Sequence, residues 1–398
     1  MNHASAPAIA PMIPTLSPGR SLLITVIGFL TLVDLFATQA ILPSLAAEYG
    51  VSPSEIGVAA NSTTLGMAVA GLLMGAFSAR IERKRAILLS LLFLAIPTAA
   101  LAYAPDLTVF SLLRITQGLF MASAFTLTLT HLAERCEHRT ASALAAYVTG
   151  VVASNLIGRL TAAFVAGLVG ATSSFLFFAA LNVAGALLIA VALHRNEPEA
   201  MTRRVRFWTS WFRHLSNPAL CRTFAIGFLI LFGFIGVFTY VGFVLMRPPY
   251  ALPMSALGLV FLVFAPSMLT TPAAGRITNI YEPGLTVPAS LALALVGLVL
   301  LTLGSLPLIV IGLVLVGVGT FFAQAVATGQ VGRIAQGDKA AASGLYLSSY
   351  YCGGLVGAAV VGQLFDRFGW NAAVAGVFAA LGLAGLLGLK LRGKEGGQ

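Results

Sequence analysis

Residues 21–43 read SLLITVIGFLTLVDLFATQAILP, a run of 23 residues with a single charged side chain, Asp34, in its interior. At 1.5 Å per residue a helix of that length rises about 35 Å, enough to cross the ~30 Å hydrocarbon core of a bilayer. The run is too long for the apolar core of a signal peptide, so it reads as a retained first membrane helix. Eleven further runs of this kind follow, at 55–78, 86–104, 107–133, 141–167, 172–194, 219–246, 253–275, 285–303, 306–331, 340–365 and 371–391. Twelve spans of about 22 residues occupy roughly two thirds of the chain, which leaves only short connections.

The whole-chain composition agrees. Of 398 residues, 58% are hydrophobic and 9% charged, against about 25% charged in an average soluble domain. A water-soluble globule, a disordered chain and a disulfide-rich secreted domain are all excluded. Cys136, Cys221 and Cys352 form no paired motif, and no disulfide is expected.

A formal charge of +10 invites a nucleic-acid reading until the basic residues are placed. With residues 1–20 as a cytoplasmic tail, the inner side collects Arg20, the cluster Arg80, Arg83, Lys84 and Arg85, then Arg135, Arg139 and the arginines of the central connection. Of the 23 basic residues only Arg247 and Arg367 fall outside, while Arg114 and Arg159 fall within spans. This asymmetry orients both termini to the cytoplasm and accounts for the charge as a topology signal, so no nucleic-acid partner is expected.

The connection at 195–218 is the long one, and there Asn, Glu, Pro and Arg replace the apolar runs. It divides the chain into six-span bundles at 21–194 and 219–391, followed by a tail at 392–398. Tyr147, Gly158 and Gly170 in span 5 recur as Tyr346, Gly357 and Gly369 in span 11, and Gly75 is answered by Gly275, at an offset near 200. The expected fold is therefore an all-α polytopic membrane protein of twelve transmembrane helices, arranged as two pseudo-symmetric six-helix bundles around a central cavity. The glycine-rich faces of spans 5 and 11 let helices approach closely, and those spans are expected to form much of the sliding surface between the bundles. Phe207, Trp208, Trp211 and Phe212 among the linker arginines fit either a short amphipathic helix on the membrane surface or a plain basic tether.

Asp34 is the one acid well inside a span. A charge at the bilayer centre costs about 2.5–3.5 kcal/mol even on the lenient scale, so such a residue is a functional hypothesis by default. Asp34 in span 1 and Arg114 in span 4 both fall about 20 Å from the inner boundary, which permits a pair. At 4 Å and an effective dielectric near 20 their attraction is about 4 kcal/mol in favour of the carboxylate, and desolvation opposes it. Small changes in distance or wetting then decide whether the aspartate holds a proton, which is what coupling to a proton gradient needs. The plainer alternative is a permanent clip between spans, although buried pairs are poor stabilisers. Arg159 falls about 27 Å along span 5 from the inner boundary, close enough to the outer surface to snorkel. The alternative for Arg159 is attraction of an anionic substrate or a second contact to Asp34.

Candidate cavity groups are Gln39, Asn61, Gln117 and Asn155 in the first bundle, with Phe238, Tyr240, Gln324, Tyr346 and Tyr350 in the second. The amides carry more weight than the aromatics, because an amide facing lipid is costly. His131, Cys136 and His138 lie in a charged inner loop without a defined ligand set, so no metal is expected. No HExxH, GxSxG or intramembrane carboxylate pair is present, which leaves an enzyme or sensor as the weaker class.

With these residues in place the chain resembles the major facilitator superfamily. Arg114-Ile-Thr-Gln117-Gly118 resembles that family's span 4 motif RxxQG, and Asp34 stands where twelve-span drug:proton antiporters carry an acid. The resemblance implies a proton-transfer role for Arg114 and a cavity-side role for Gln117. Gly75 to Arg85 is similar to the GxxxDRxGRR loop signature, with Ala79 in place of the aspartate and Glu82 in place of the glycine. Span 5 keeps the glycines of the exporter motif at Gly150 and Gly158 but lacks its proline. Asn155 to Arg159 and the run Gly353 to Gly357, leading to Asp366 and Trp370, are similar to YnfM-type inner-membrane permeases.

The expected function is proton-coupled export of a small apolar or amphiphilic compound by alternating access, with Asp34 and Arg114 as the proton-coupling pair. The expected location is the bacterial inner membrane. The expected partners are the substrate, protons and the lipid bilayer, with no cofactor beyond the proton gradient, and one chain is expected to suffice. Uptake of a sugar or small organic anion, with Arg114 or Arg159 holding the anion, is the alternative.

Overall fold

The computed structural model of the chain describes residues 16–77, 82–135, 139–192, 207–268, 270 and 281–391. Among them 11 helices are long and apolar enough to cross a membrane, and a shorter apolar helix, Ala256–Met268, stands in the place of span 8. Residues 269 and 271–275 of that span, Gly275 of one repeat match among them, lie outside the described residues. The protein is a twelve-helix, two-bundle membrane protein.

Several helices begin where the local chemistry supplies a cap or a proline. Span 1 runs Pro18–Ala40 with proline in its first turn, where the absent N–H has no helical partner to lose. Span 2 opens with a reciprocal cap: the Ser52 hydroxyl accepts from the Glu55 N–H at 3.2 Å, and the Glu55 carboxylate accepts from the Ser52 N–H at 2.8 Å. It breaks at Ser62 between Pro53–Asn61 and Thr63–Phe77. Asn217 caps span 7, Pro218–Met246, and Asp338 caps span 11, Lys339–Phe368. Spans 3 to 6 are Arg83–Ala100, Leu107–Arg135, Thr140–Val169 and Ala171–Ala192, and spans 9, 10 and 12 are Pro283–Leu300, Leu306–Ile334 and Trp370–Gly388.

Within the first bundle span 1 lies along span 5, and span 3 packs on spans 4 and 6. In the second, span 7 lies along span 11, and span 9 packs on spans 10 and 12. The repeat is visible in these contacts. A Cβ at Gly28 would collide with Tyr147, and a Cβ at Gly227 would meet the ring of Tyr346 at 2.6 Å. Spans 5 and 11 both end on a glycine of positive φ, Gly170 at 90° and Gly369 at 80°, the conformation that suits a residue without Cβ.

The glycine-rich faces of spans 5 and 11 make the close helix approaches expected of them. Gly150 and Gly158 face Thr25 and Val33 of span 1, and Gly353 and Gly357 face Phe228 and Phe232 of span 7. They bring helices together inside each bundle rather than lining the surface between bundles. Spans 5 and 11 nevertheless form the surface between the halves, as expected, span 11 against span 2 and span 5 against span 8. At the end where span 2 begins, the Ser54 N–H donates to the Asp366 carboxylate at 3.2 Å and the Gln363 amide donates to the Ser54 hydroxyl at 3.3 Å. Nearer the other end the Ser348 hydroxyl donates to the Ala68 carbonyl at 2.7 Å.

The central connection contains a helix, Phe207–Leu215. The side chains of Phe207 and Trp208 lie outside the described residues. Phe212 and Leu215 are exposed, whereas His214 is buried and its Nε2 lies 2.8 Å from the Asp338 carbonyl oxygen, against the turn that leads into span 11.

Candidate functional site

The polar groups of the first bundle form two clusters on different sides of span 1. Asp34 and Gln39 are five residues apart, which is ~7.5 Å of rise and roughly 140° of turn, so they cannot face the same neighbours.

The first cluster gathers spans 1, 2, 3, 4 and 6. Asp34 is 2% exposed, and its Oδ2 accepts from the Asn182 amide at 2.7 Å and faces the Thr98 hydroxyl at 3.3 Å. The other oxygen, Oδ1, has no hydrogen-bond partner. Arg114 donates from Nε to the Ala60 carbonyl at 2.9 Å, and from Nη1 to Gln117 Oε1 at 2.7 Å and to the backbone carbonyl of Asp34 at 3.5 Å. Gln117 in turn donates to the Thr98 hydroxyl at 2.7 Å. Asp34, Thr98, Arg114 and Gln117, with Phe175 and Phe178, line one closed crevice.

Acid and base therefore share a level, as their depths along the helices imply, but no hydrogen bond joins guanidinium to carboxylate. Arg114 holds the backbone of residue 34, and neutral donors hold its side chain. Asn182 and Thr98 were not singled out from the sequence. The signal for Asn182 was the one applied to the other amides, an Asn in the middle of an apolar span; Thr98 carried none, since a threonine in a helix ordinarily satisfies itself on the preceding turn, as this one also does on Leu94 at 2.7 Å.

The second cluster crosses between the halves. Arg159 of span 5 donates from Nη2 to Gln39 of span 1; Gln39 donates to Asn61 of span 2 at 3.1 Å; and Asn61 donates to the Gly57 carbonyl at 2.8 Å and to the Thr239 hydroxyl of span 7 at 3.1 Å. Arg159 is 0% exposed, which overturns the snorkelling expectation. Its guanidinium carbon lies 5.1 Å from the ring centre of Phe36, 5.8 Å from Phe234, 5.5 Å from Phe238, 4.7 Å from Phe261 and 4.4 Å from Phe264. Nor is it a second contact to Asp34, whose carboxylate oxygens it does not bond. Asn155, one turn earlier on span 5, is equally buried, and neither its amide nitrogen nor its oxygen has a partner.

The remaining candidates divide. Phe238 belongs to the box around Arg159. Tyr240 packs instead: its hydroxyl donates to the Ala358 carbonyl at 2.6 Å and its ring stacks on Phe365. Gln324, Tyr346 and Tyr350 form a third group in the second bundle, where the Tyr346 hydroxyl donates to Gln324 at 2.9 Å and the two tyrosine rings stack at 6.3 Å. In the loop after span 2, Arg80 and the Ala79 departure lie outside the described residues, as do the surroundings of Gly75. Arg85 pairs with Glu82 at 2.8 Å and Lys84 donates to the Ala190 carbonyl at 2.7 Å, while Arg83 also has a partner. Cys136 and His138 lie outside the described residues. Among the described ones no group of three His, Cys, Asp or Glu side chains is placed to hold a metal.

Two bundles meeting over buried polar groups define a membrane transporter. A family model for the Major Facilitator Superfamily matches residues 24–270 and 250–397, and the chain belongs to that family. The inner membrane transport protein YnfM of Escherichia coli is 29% identical over 92% of this chain and 88% of that protein. The uncharacterized MFS-type transporter YybF of Bacillus subtilis is 27% identical over 90% of this chain and 91% of that protein. Among solved structures, a mutant of the nucleoside transporter NupG aligns with a TM-score of 0.74 at 14% identity, covering 93% of this chain and 97% of that one; that likeness concerns the fold.

Proposed function

We propose that the protein exports a small amphiphilic organic compound across the bacterial inner membrane in exchange for protons, by alternating access, with both termini in the cytoplasm and one chain as the working unit. Asp34 is the proton carrier. The observation that carries this reading is the environment of its carboxylate: buried, held on one oxygen by neutral donors, with the other oxygen free to take a proton. Arg114 is too far engaged with Gln117 and two backbone carbonyls to neutralise it by direct contact, so a fixed positive charge sits nearby without locking the acid in its charged form. Such a group gains or loses its proton as its wetting changes between the two open states. Export rather than uptake follows the span 5 glycines of the exporter motif, which here lacks its proline, and the span 1 acid shared with the antiporter pattern.

Reconstitution in proteoliposomes with an imposed pH gradient tests the direction. Substrate moving against the proton flow supports exchange. Substrate moving with the protons would make the protein an uptake symporter and overturn the export part of the reading.

A further inference from the structure

We propose that the transported compound is a carboxylate with a flat apolar body, and that it binds with its charge on Arg159 and its body among Phe36, Phe234, Phe238, Phe261 and Phe264. The inference rests on the transport reading only in taking the junction of the halves as the substrate path.

The contacts of Arg159 are unbalanced. The ring faces stabilise the guanidinium charge, but they do not replace the oxygen acceptors that its N–H groups have in water. Of those, Nη2 is satisfied by Gln39, whereas Nε and Nη1 have no partner. Among the described residues no acid is bonded to this cation. Evolved interiors seldom leave a buried charge unpaired, because desolvation is then uncompensated. One turn away, where positions four apart share a helix face, Asn155 adds an unpartnered donor and acceptor. Three open donors and an aromatic lining are complementary to a carboxylate attached to a ring.

The location adds a second argument. Phe36 belongs to the first half and the other four rings to the second, so a ligand seated here touches both bundles. Rocking the halves apart would dismantle the box, which makes affinity depend on the conformational state, as alternating access requires.

Equilibrium binding to the purified full chain, read by calorimetry or thermal stabilisation without a proton gradient, tests the proposal with benzoate, 2-naphthoate, benzamide, benzylamine and acetate. The expected order is 2-naphthoate above benzoate, with benzamide at least about tenfold weaker than benzoate, as loss of a charge-assisted bond implies, and with acetate and benzylamine not binding. Arg159→Gln should erase the preference of benzoate over benzamide. Because that variant can fail to fold, Asn155→Ala and Phe264→Leu provide independent readouts: the first weakens benzoate, and the second lowers the advantage of 2-naphthoate over benzoate while the preference for the anion stays. Equal binding of benzoate and benzamide to the unaltered protein, an unchanged preference in a folded Arg159→Gln variant, or no carboxylate binding would each overturn it. A failure of proton coupling at Asp34 leaves this equilibrium readout intact, so the two proposals fail separately.

Discussion

The helix pair of spans 1 and 5 and the pair of spans 7 and 11 are built on one plan and carry opposite chemistry. In both, a tyrosine fills the space left by a glycine, Tyr147 over Gly28 and Tyr346 over Gly227, and in both a positive-φ glycine ends the second helix. Yet at the same offset of 199 residues that relates the tyrosines, Asp34 is answered by Gly233, Gln39 by Phe238 and Arg159 by Ala358. The first half holds the charges and the second supplies apolar walls. Backbone approach is thus a property of the repeated scaffold, while the intramembrane charges belong to one copy, and we propose a division of labour between a half that handles charge and a half that closes over it.

Five variants bear on that comparison. The largest effect is expected from Gly150→Val and Gly353→Val, which drive a branched side chain into the Thr25 and Phe228 carbonyls of the facing helix; overpacking of this type costs about 1–3 kcal/mol or more. Thermal unfolding should fall comparably for both, and a marked drop in only one would break the equivalence of the scaffolds. Next, Asn182→Ala removes the shortest bond to the Asp34 carboxylate, a loss of about 1.5–3 kcal/mol for a charged acceptor, or roughly 10- to 100-fold in gradient-driven accumulation. Its counterpart in the apolar half, Tyr346→Phe, removes a neutral bond worth about 1 kcal/mol and should change accumulation severalfold at most. Equal losses in the two variants would deny the division of labour. The smallest effect is expected from Thr239→Val, which strips Asn61 of its acceptor across the halves. A bond worth about 0.5–1.5 kcal/mol should shift the balance between the two open states about two- to tenfold, read by accessibility of single cysteines at either end.

Much of this was readable before any coordinates. Span positions and the internal repeat follow from hydropathy and glycine register, which are local. The shared level of Asp34 and Arg114 follows from helical rise alone. What rise does not give is azimuth and neighbours. Asp34 leans on Asn182 of span 6, and Arg114 turns to Gln117 and to backbone carbonyls, because which helix faces which is set by packing across the bundle. The same gap explains Arg159. Counting along span 5 put it near a surface, but the phenylalanines that bury it come from spans 1, 7 and 8, and no property of span 5 announces them. Glycines show the same gap: Gly150 and Gly353 mark close approach, while the partner helix has to be seen.

The central claim is that a single aspartate carries the proton. Proteoliposomes holding the unaltered protein or Asp34→Asn, loaded with substrate and given a pH gradient, test it most directly. The account predicts that the variant still exchanges substrate across the membrane but builds no gradient of it, and that proton movement linked to substrate vanishes. Uphill accumulation by the variant at the rate of the unaltered protein would contradict it.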